Sequence, residues 1–380
     1  MMDLHRLLQG LRDQDWWSRR QTITSLILHP EHEYREFLEE SIRNHEDADI
    51  RNASMEVFKA LGVRALPSIV LLSKDPDPEV RLFSANILCE IRDPASLPVL
   101  FRLMKDGDIN VRAAAAEATG KTGDGRSLRA LKEALSDDAW VATAAVMAIG
   151  DIGGEAALGV LYGCLENHNY REIAIAALEK AGNRDSIGHL SSCFEYEELK
   201  GQALKAIIRI AERERVRPQP EYFIRLVPML IEMLDSADQE ERQHAFMALC
   251  WSKDIMGLSY ILEAIRDEGL QEYAIEGLLS IGRKAVCSIV DELKDSSGSQ
   301  RVILAKVLGM IGEDRALLQF AEDEDPEVRV EVALSLGSVN IGRAVTSLSR
   351  MLDDPYEEVR LAAGKSLARL REKGFSNEHY

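Results

Sequence analysis

Asp75-Pro-Asp-Pro-Glu-Val-Arg-Leu-Phe-Ser-Ala-Asn-Ile-Leu-Cys-Glu-Ile-Arg-Asp93 decides how the chain is read. It returns as Asp323-Glu-Asp-Pro-Glu-Val-Arg-Val-Glu-Val-Ala-Leu-Ser-Leu-Gly337, and again as Asp353-Asp-Pro-Tyr-Glu-Glu-Val-Arg-Leu-Ala-Ala-Gly-Lys-Ser-Leu367. Each copy is an acidic turn, then Val-Arg, then small and apolar residues at helical spacing. With the Arg of Val-Arg as anchor, equivalent positions are Arg19, Arg51, Arg81, Arg112, Ala142, Arg171, Lys200, Arg242, Gln271, Arg301, Arg329 and Arg360. Ten of the eleven intervals fall within 28–32 residues, which is a repeat period.

Seven residues past the anchor the column is apolar throughout, from Leu26 to Leu367, except at Thr119. Three past it, ten of twelve residues are small; the exceptions are Leu304 and Val332. Positions three, four and seven along share one helical face, so each repeat carries an amphipathic second helix. A first helix precedes it, with spacings such as Leu97/Leu100/Leu103, Leu128/Leu131/Leu135 and Val345/Leu348/Leu352. The turns between them place Asp77, Asp108, Asp138, Asn167, Asp238, Asp267 and Asp325 at the entry to the second helix. Their oxygens are expected to cap helix amides, worth about 1 kcal/mol each, or to pair with an anchor Arg of a neighbouring repeat.

These residues resemble the HEAT-like repeats of the phycobilisome-lyase type, from about Leu4 to Arg371. The resemblance implies an all-α, right-handed α-solenoid of about twelve helix pairs, with second helices lining the concave surface. Such arrays host many unrelated roles, so the fold does not name a function. The one long interval, 42 residues between Lys200 and Arg242, holds an insertion at 211–223 rich in Arg and Pro. The expected division is therefore repeats over 1–210, the insertion as a surface loop, docking loop or hinge, repeats over 224–373, and a polar tail at 374–380.

Composition narrows the partners. A formal charge of −18, from 46 basic and 64 acidic residues, disfavours phosphate backbones and anionic membranes. Lys180, Lys205 and Arg209 are too few to form the basic groove of a HEAT-like DNA glycosylase. Five cysteines form no C-x-x-C pair, and the start has no signal-peptide pattern, so a cytoplasmic protein is expected. No apolar run reaches the length of a membrane span.

Catalytic signatures are weak. His29-Pro-Glu-His-Glu33 and His45-Glu46 evoke the His-Glu pairs of deoxyhypusine hydroxylase, a di-iron enzyme on HEAT repeats. The C-terminal half carries no matching His-Glu pair, so no symmetric metal site is expected and no cofactor is assigned. Gly120-Lys-Thr-Gly-Asp-Gly125 falls at a helix-ending turn and reads as helix termination and close packing.

The expected function is a non-catalytic scaffold that holds out a preformed surface to a partner protein. Positions two, five and nine past an anchor are expected to point outward. In the C-terminal half these are His244, Met247, Trp251, Tyr273, Glu276, Ile303, Lys306, Met310 and Leu334, a candidate apolar binding patch. In the N-terminal half Glu56, Glu90, Glu117 and Asp151 are expected to steer a basic segment of the partner. The alternatives are a lyase-like or chaperone-like subunit handling a protein-bound cofactor, and a metal-dependent HEAT-repeat enzyme. Self-association through the end repeats is a further expectation.

Overall fold

The computed structural model describes residues 9–13, 15–28, 32–44, 46–338 and 342–372. His29, His45 and the 374–380 tail lie outside the described residues, as do the side chains of His32 and Glu33. Among the described residues every regular element is helical. Contacts divide the chain into two units, Met1–Arg215 and Val216–Tyr380.

In the first unit the second helices are α1 (Trp16–Leu28), α3 (Ala48–Leu61), α5 (Pro78–Ile91), α7 (Ile109–Lys121), α9 (Ala139–Ile152), α11 (Arg171–Ala181) and α13 (Lys200–Glu214). The first helices are α2 (His32–Arg43), α4 (Leu66–Leu72), α6 (Leu97–Leu103), α8 (Leu128–Ala134), α10 (Gly154–Glu166) and α12 (Ser186–Ser191). In the second unit, first helices α14 (Val227–Met233), α16 (Leu258–Glu263), α18 (Val286–Asp295), α20 (Asp314–Leu318) and α22 (Gly342–Arg350) alternate with second helices. Those are α15 (Gln239–Ser252), α17 (Gln271–Ile281), α19 (Gly298–Ile311), α21 (Pro326–Leu336) and α23 (Glu357–Glu372). Each second helix packs against the next within its unit, so each unit is an α-helical repeat solenoid.

The anchor column sets this stacking. Arg81 grips Asp106 of the following repeat with Nε to Oδ2 at 2.7 Å and Nη2 to Oδ1 at 2.8 Å. Its Nη1 donates to the carbonyls of Asp75 and Pro76, closing its own turn. Arg112 does the same with Asp137 and the carbonyls of Asp106 and Gly107, and Arg329 with Asp354 and the carbonyls of Asp323 and Glu324. Capping falls to different carboxylates. Asp77, Asp108, Asp138, Asp238 and Asp325 accept from backbone amides at their helix starts, while the rungs use residues one or two places earlier.

Glycine in the column eight past the anchor has a packing role. A Cβ on Gly120 would lie 2.5 Å from the Ala148 Cα, so only glycine lets α7 and α9 approach this closely. Gly120 and Gly150 do not end their helices, because α7 and α9 run past them, whereas α21 ends at Leu336 with Gly337 as its C-cap.

Two outcomes test this account. Leu308 is wholly buried in the last turn of α19, so Leu308→Ala should lower unfolding free energy by about 2–5 kcal/mol in a denaturant titration. Asp354 lies below the usual carboxylate range because of its hydrogen bonds from Arg329, against an opposing effect of burial. Its folded pKa is depressed, so its contribution is present above the unfolded value of about 3.9 and is lost as pH falls through the folded value. Asp354→Asn should cost about 3 kcal/mol at neutral pH. It should also flatten the loss of stability below about pH 4, measured by melting across a pH series.

Candidate functional site

The second helices present their outer positions as one surface in each unit, and the two surfaces differ. In the first unit several of the charged residues pair with one another. Asp151 on α9 is held by Lys121 of α7 at 2.7 Å and by Lys180 of α11. Burial pushes its carboxyl up, but those two lysines outweigh burial and hold it below the ordinary value. Glu179 pairs with Arg209 of α13 at 2.5 Å. Asp151 is therefore committed within the repeat stack, which corrects its expected role as a steering charge. Glu56, Glu90 and Glu117 are exposed; Glu90 has Arg92 at 4.0 Å, and neither Glu56 nor Glu117 has an ion pair among the described residues. Glu56 and Glu90 line an open groove with Arg19, Arg20 and Lys59.

In the second unit the expected patch divides. Met247 is 1% exposed and His244 is also buried, so both are corrected from outward to inward residues. Seven consecutive residues of α15, His244 to Cys250, are buried, a run that an amphipathic helix with one covered face would not show. Pro220–Tyr222, in the segment after Arg215, packs on α15. Pro218 is buried, Phe223 is 0% exposed, and the Phe223 ring lies 6.0 Å from that of Trp251. Arg217 reaches Glu276 of α17 at 2.5 Å. Trp251 and Glu276 are thus engaged by the chain itself and do not form a free patch.

The surface of α19 and α21 stays open. Met310 is 59% exposed and Lys306 is exposed, with Ile303 and Leu334 half-buried beside them. Ile303, Leu334 and Tyr273 also pack on the core of the second unit. Sequence reasoning missed Glu331, two past Arg329 in the same outward column. Burial pushes its carboxyl up, against a hydrogen bond from Ser335 and the nearby Lys306 charge. Extending the column by one more repeat would have found it.

No group of three or more His, Cys, Asp or Glu among the described residues is arranged to hold a metal ion. No described helix is long and apolar enough to cross a membrane. All five cysteines are free thiols, and burial raises Cys89, Cys164, Cys193 and Cys250 above the ordinary thiol value.

The stacked helix pairs and the Arg–Asp rungs define a helical-repeat protein. Residues 65–150 and 286–368 match the family model for HEAT repeats. No curated protein matches the sequence. Among solved structures, the chain is similar to the karyopherin Kap121p bound to Nup53p, with TM-score 0.50 and 17% identity over 97% of this chain and 48% of that one. A structure titled as Kap121p alone gives 0.50 and 16% over 97% and 48%. An engineered protein gives 0.48 and 19% over 98% and 99%. The chain spans about half the length of Kap121p, and at these identities the likeness is one of fold.

The insertion contact yields a direct test. Phe223→Ala should destabilise the second unit by about 3–5 kcal/mol and shift Trp251 emission to the red. Trp251→Ala should lower the melting temperature too.

Proposed function

We propose that this chain is a non-catalytic scaffold of the cytoplasm that binds a partner protein on the second-helix surface of its repeats. The observation that carries the reading is the open α19/α21 surface: exposed Met310 and half-buried Ile303 and Leu334, flanked by Lys306 and the half-buried Glu331. Apolar side chains ringed by a few charges are what a protein partner covers. A scaffold of stacked, ion-paired repeats is already ordered, which limits the entropy lost on docking. Similarity of fold to Kap121p, which has been solved bound to Nup53p and to Ste12p, supports the reading. Glu56, Glu90 and Glu117 favour a partner with a basic segment, and five free thiols favour a reducing compartment. We infer the phycobilisome-lyase subclass for the repeats themselves, on the acidic turn followed by Val-Arg.

A photo-crosslinking residue at Met310 should capture a discrete polypeptide from a native extract. The same residue at Lys132, exposed on the first helix α8, should not. Once that polypeptide is purified, Met310→Asp should weaken its binding about tenfold or more while leaving the melting temperature unchanged. Equal capture at both positions, or unaltered affinity, would remove α19 from the binding surface.

A further inference from the structure

On α15 and α17 part of the outward surface is already occupied, and the occupant is the chain itself. Pro220–Tyr222 packs on α15, the Phe223 ring lies 6.0 Å from that of Trp251, and Pro218 is buried. Arg217, in the non-helical stretch 216–219, pairs with Glu276 of α17 at 2.5 Å. An irregular stretch with prolines, an aromatic ring and one arginine on a carboxylate is thus one cover that a second-helix surface of this chain accepts.

The surface of α19 and α21 has the matching features and no cover among the described residues. Met310 stands nine past its anchor, in the column of Trp251, and is 59% exposed. Leu334 stands five past, in the column of Glu276, and is half-buried. Glu331, one helical turn before Leu334, is half-buried too. Its Oε1 accepts from Ser335 Oγ at 3.3 Å, and it has no ion pair among the described residues. Lys306 of α19 is exposed and acts on Glu331 through space without pairing with it. Such a carboxylate is tolerated while water reaches it. Under a purely apolar partner it would become a buried charge with one neutral hydrogen bond, which opposes docking.

We infer that the partner polypeptide meets α19 and α21 with an irregular segment that sets an arginine on Glu331 and apolar side chains over Met310 and Leu334. The inference rests on the reading of this face as the binding surface and adds the chemistry of its occupant. Arginine suits the position better than lysine, because its planar fork binds a carboxylate through two bonds and its charge is more weakly hydrated. The Arg217–Glu276 pair shows the same contact made within the chain. A second copy of this chain is disfavoured as the occupant by its charge of −18.

The test places benzoylphenylalanine at position 310 of the full chain and offers it three biotinylated peptides, Gly-Tyr-Pro-X-Pro-Phe-Leu-Gly, with X as arginine, citrulline or glutamate. Photo-capture should favour arginine over its neutral isostere citrulline about tenfold, with glutamate captured least. Glu331→Gln should level arginine and citrulline, and Glu331→Lys should turn the preference toward glutamate, with circular dichroism unchanged in both. Equal capture of the arginine and citrulline peptides by the chain with Glu331 intact overturns the inference and leaves the apolar reading of the face standing; it is the result expected if Lys306 swings in to serve Glu331. An arginine preference that survives Glu331→Gln overturns it as well, because the guanidinium then sits elsewhere. Capture of none of the peptides overturns both the inference and the reading beneath it.

Discussion

The guanidinium at the head of the second helix is the contact on which the rest of the structure depends. Its three nitrogens face two obligations: a turn whose carbonyls point out of the helices, and a neighbouring repeat that must be held in register. Arg81, Arg112 and Arg329 meet both, spending Nη1 on the turn and the Nε/Nη2 edge on an aspartate of the next repeat. A lysine could not, because a point charge has no planar fork to bind a carboxylate through two parallel bonds. The aspartate completes the arrangement by accepting a backbone amide of its own turn, as Asp106 does from Asp108 and Asp354 from Tyr356.

The departures from this pattern show that turn closure is the stricter of the two needs. Gln271, lacking a charge, still sends Nε2 to the Ile265 carbonyl, six residues back, the reach that Arg81 and Arg112 use. Ala142 has nothing to send, and the Tyr170 hydroxyl of the following repeat donates to the Leu135 carbonyl instead. Arg171 keeps the carbonyls of Leu165 and Glu166 and, with no aspartate ahead of it, stacks on Tyr196 at 3.7 Å. An unsatisfied carbonyl in a half-buried turn costs more than a missing ion pair near the surface, so substitution preserves the former.

The repeat, its period and the packed stripe were legible in the sequence because each depends on spacing within one helix hairpin. Leu88, Leu249 and Leu308, all seven past an anchor, are fully buried. What failed to be legible was anything decided by chain arriving from elsewhere. Met247 and His244 sit at outward positions by helical phase, yet both are buried in α15, the helix on which the segment Pro220–Tyr222 packs. The division of labour in the turns was equally hidden. Asp106 and Asp108 are two residues apart and chemically alike, and only the reach of Arg81 across a repeat separates the rung from the cap.

The same distinction explains why the two second-helix surfaces differ. In the first unit consecutive helices follow the period closely, so residues nine past the anchor stand beside one another. Lys121, Asp151 and Lys180 alternate in sign and consume one another's charge. Charge repeated at the packing period becomes structural, because each group finds its opposite one repeat away at hydrogen-bond distance. Where the column holds Met310 and Ser338, no such cancellation occurs, and the surface of α19 and α21 keeps its apolar character. A repeat stack of this kind keeps an apolar surface where a charged column breaks its own pattern. The informative positions are therefore those at which a period that holds elsewhere in the chain gives way.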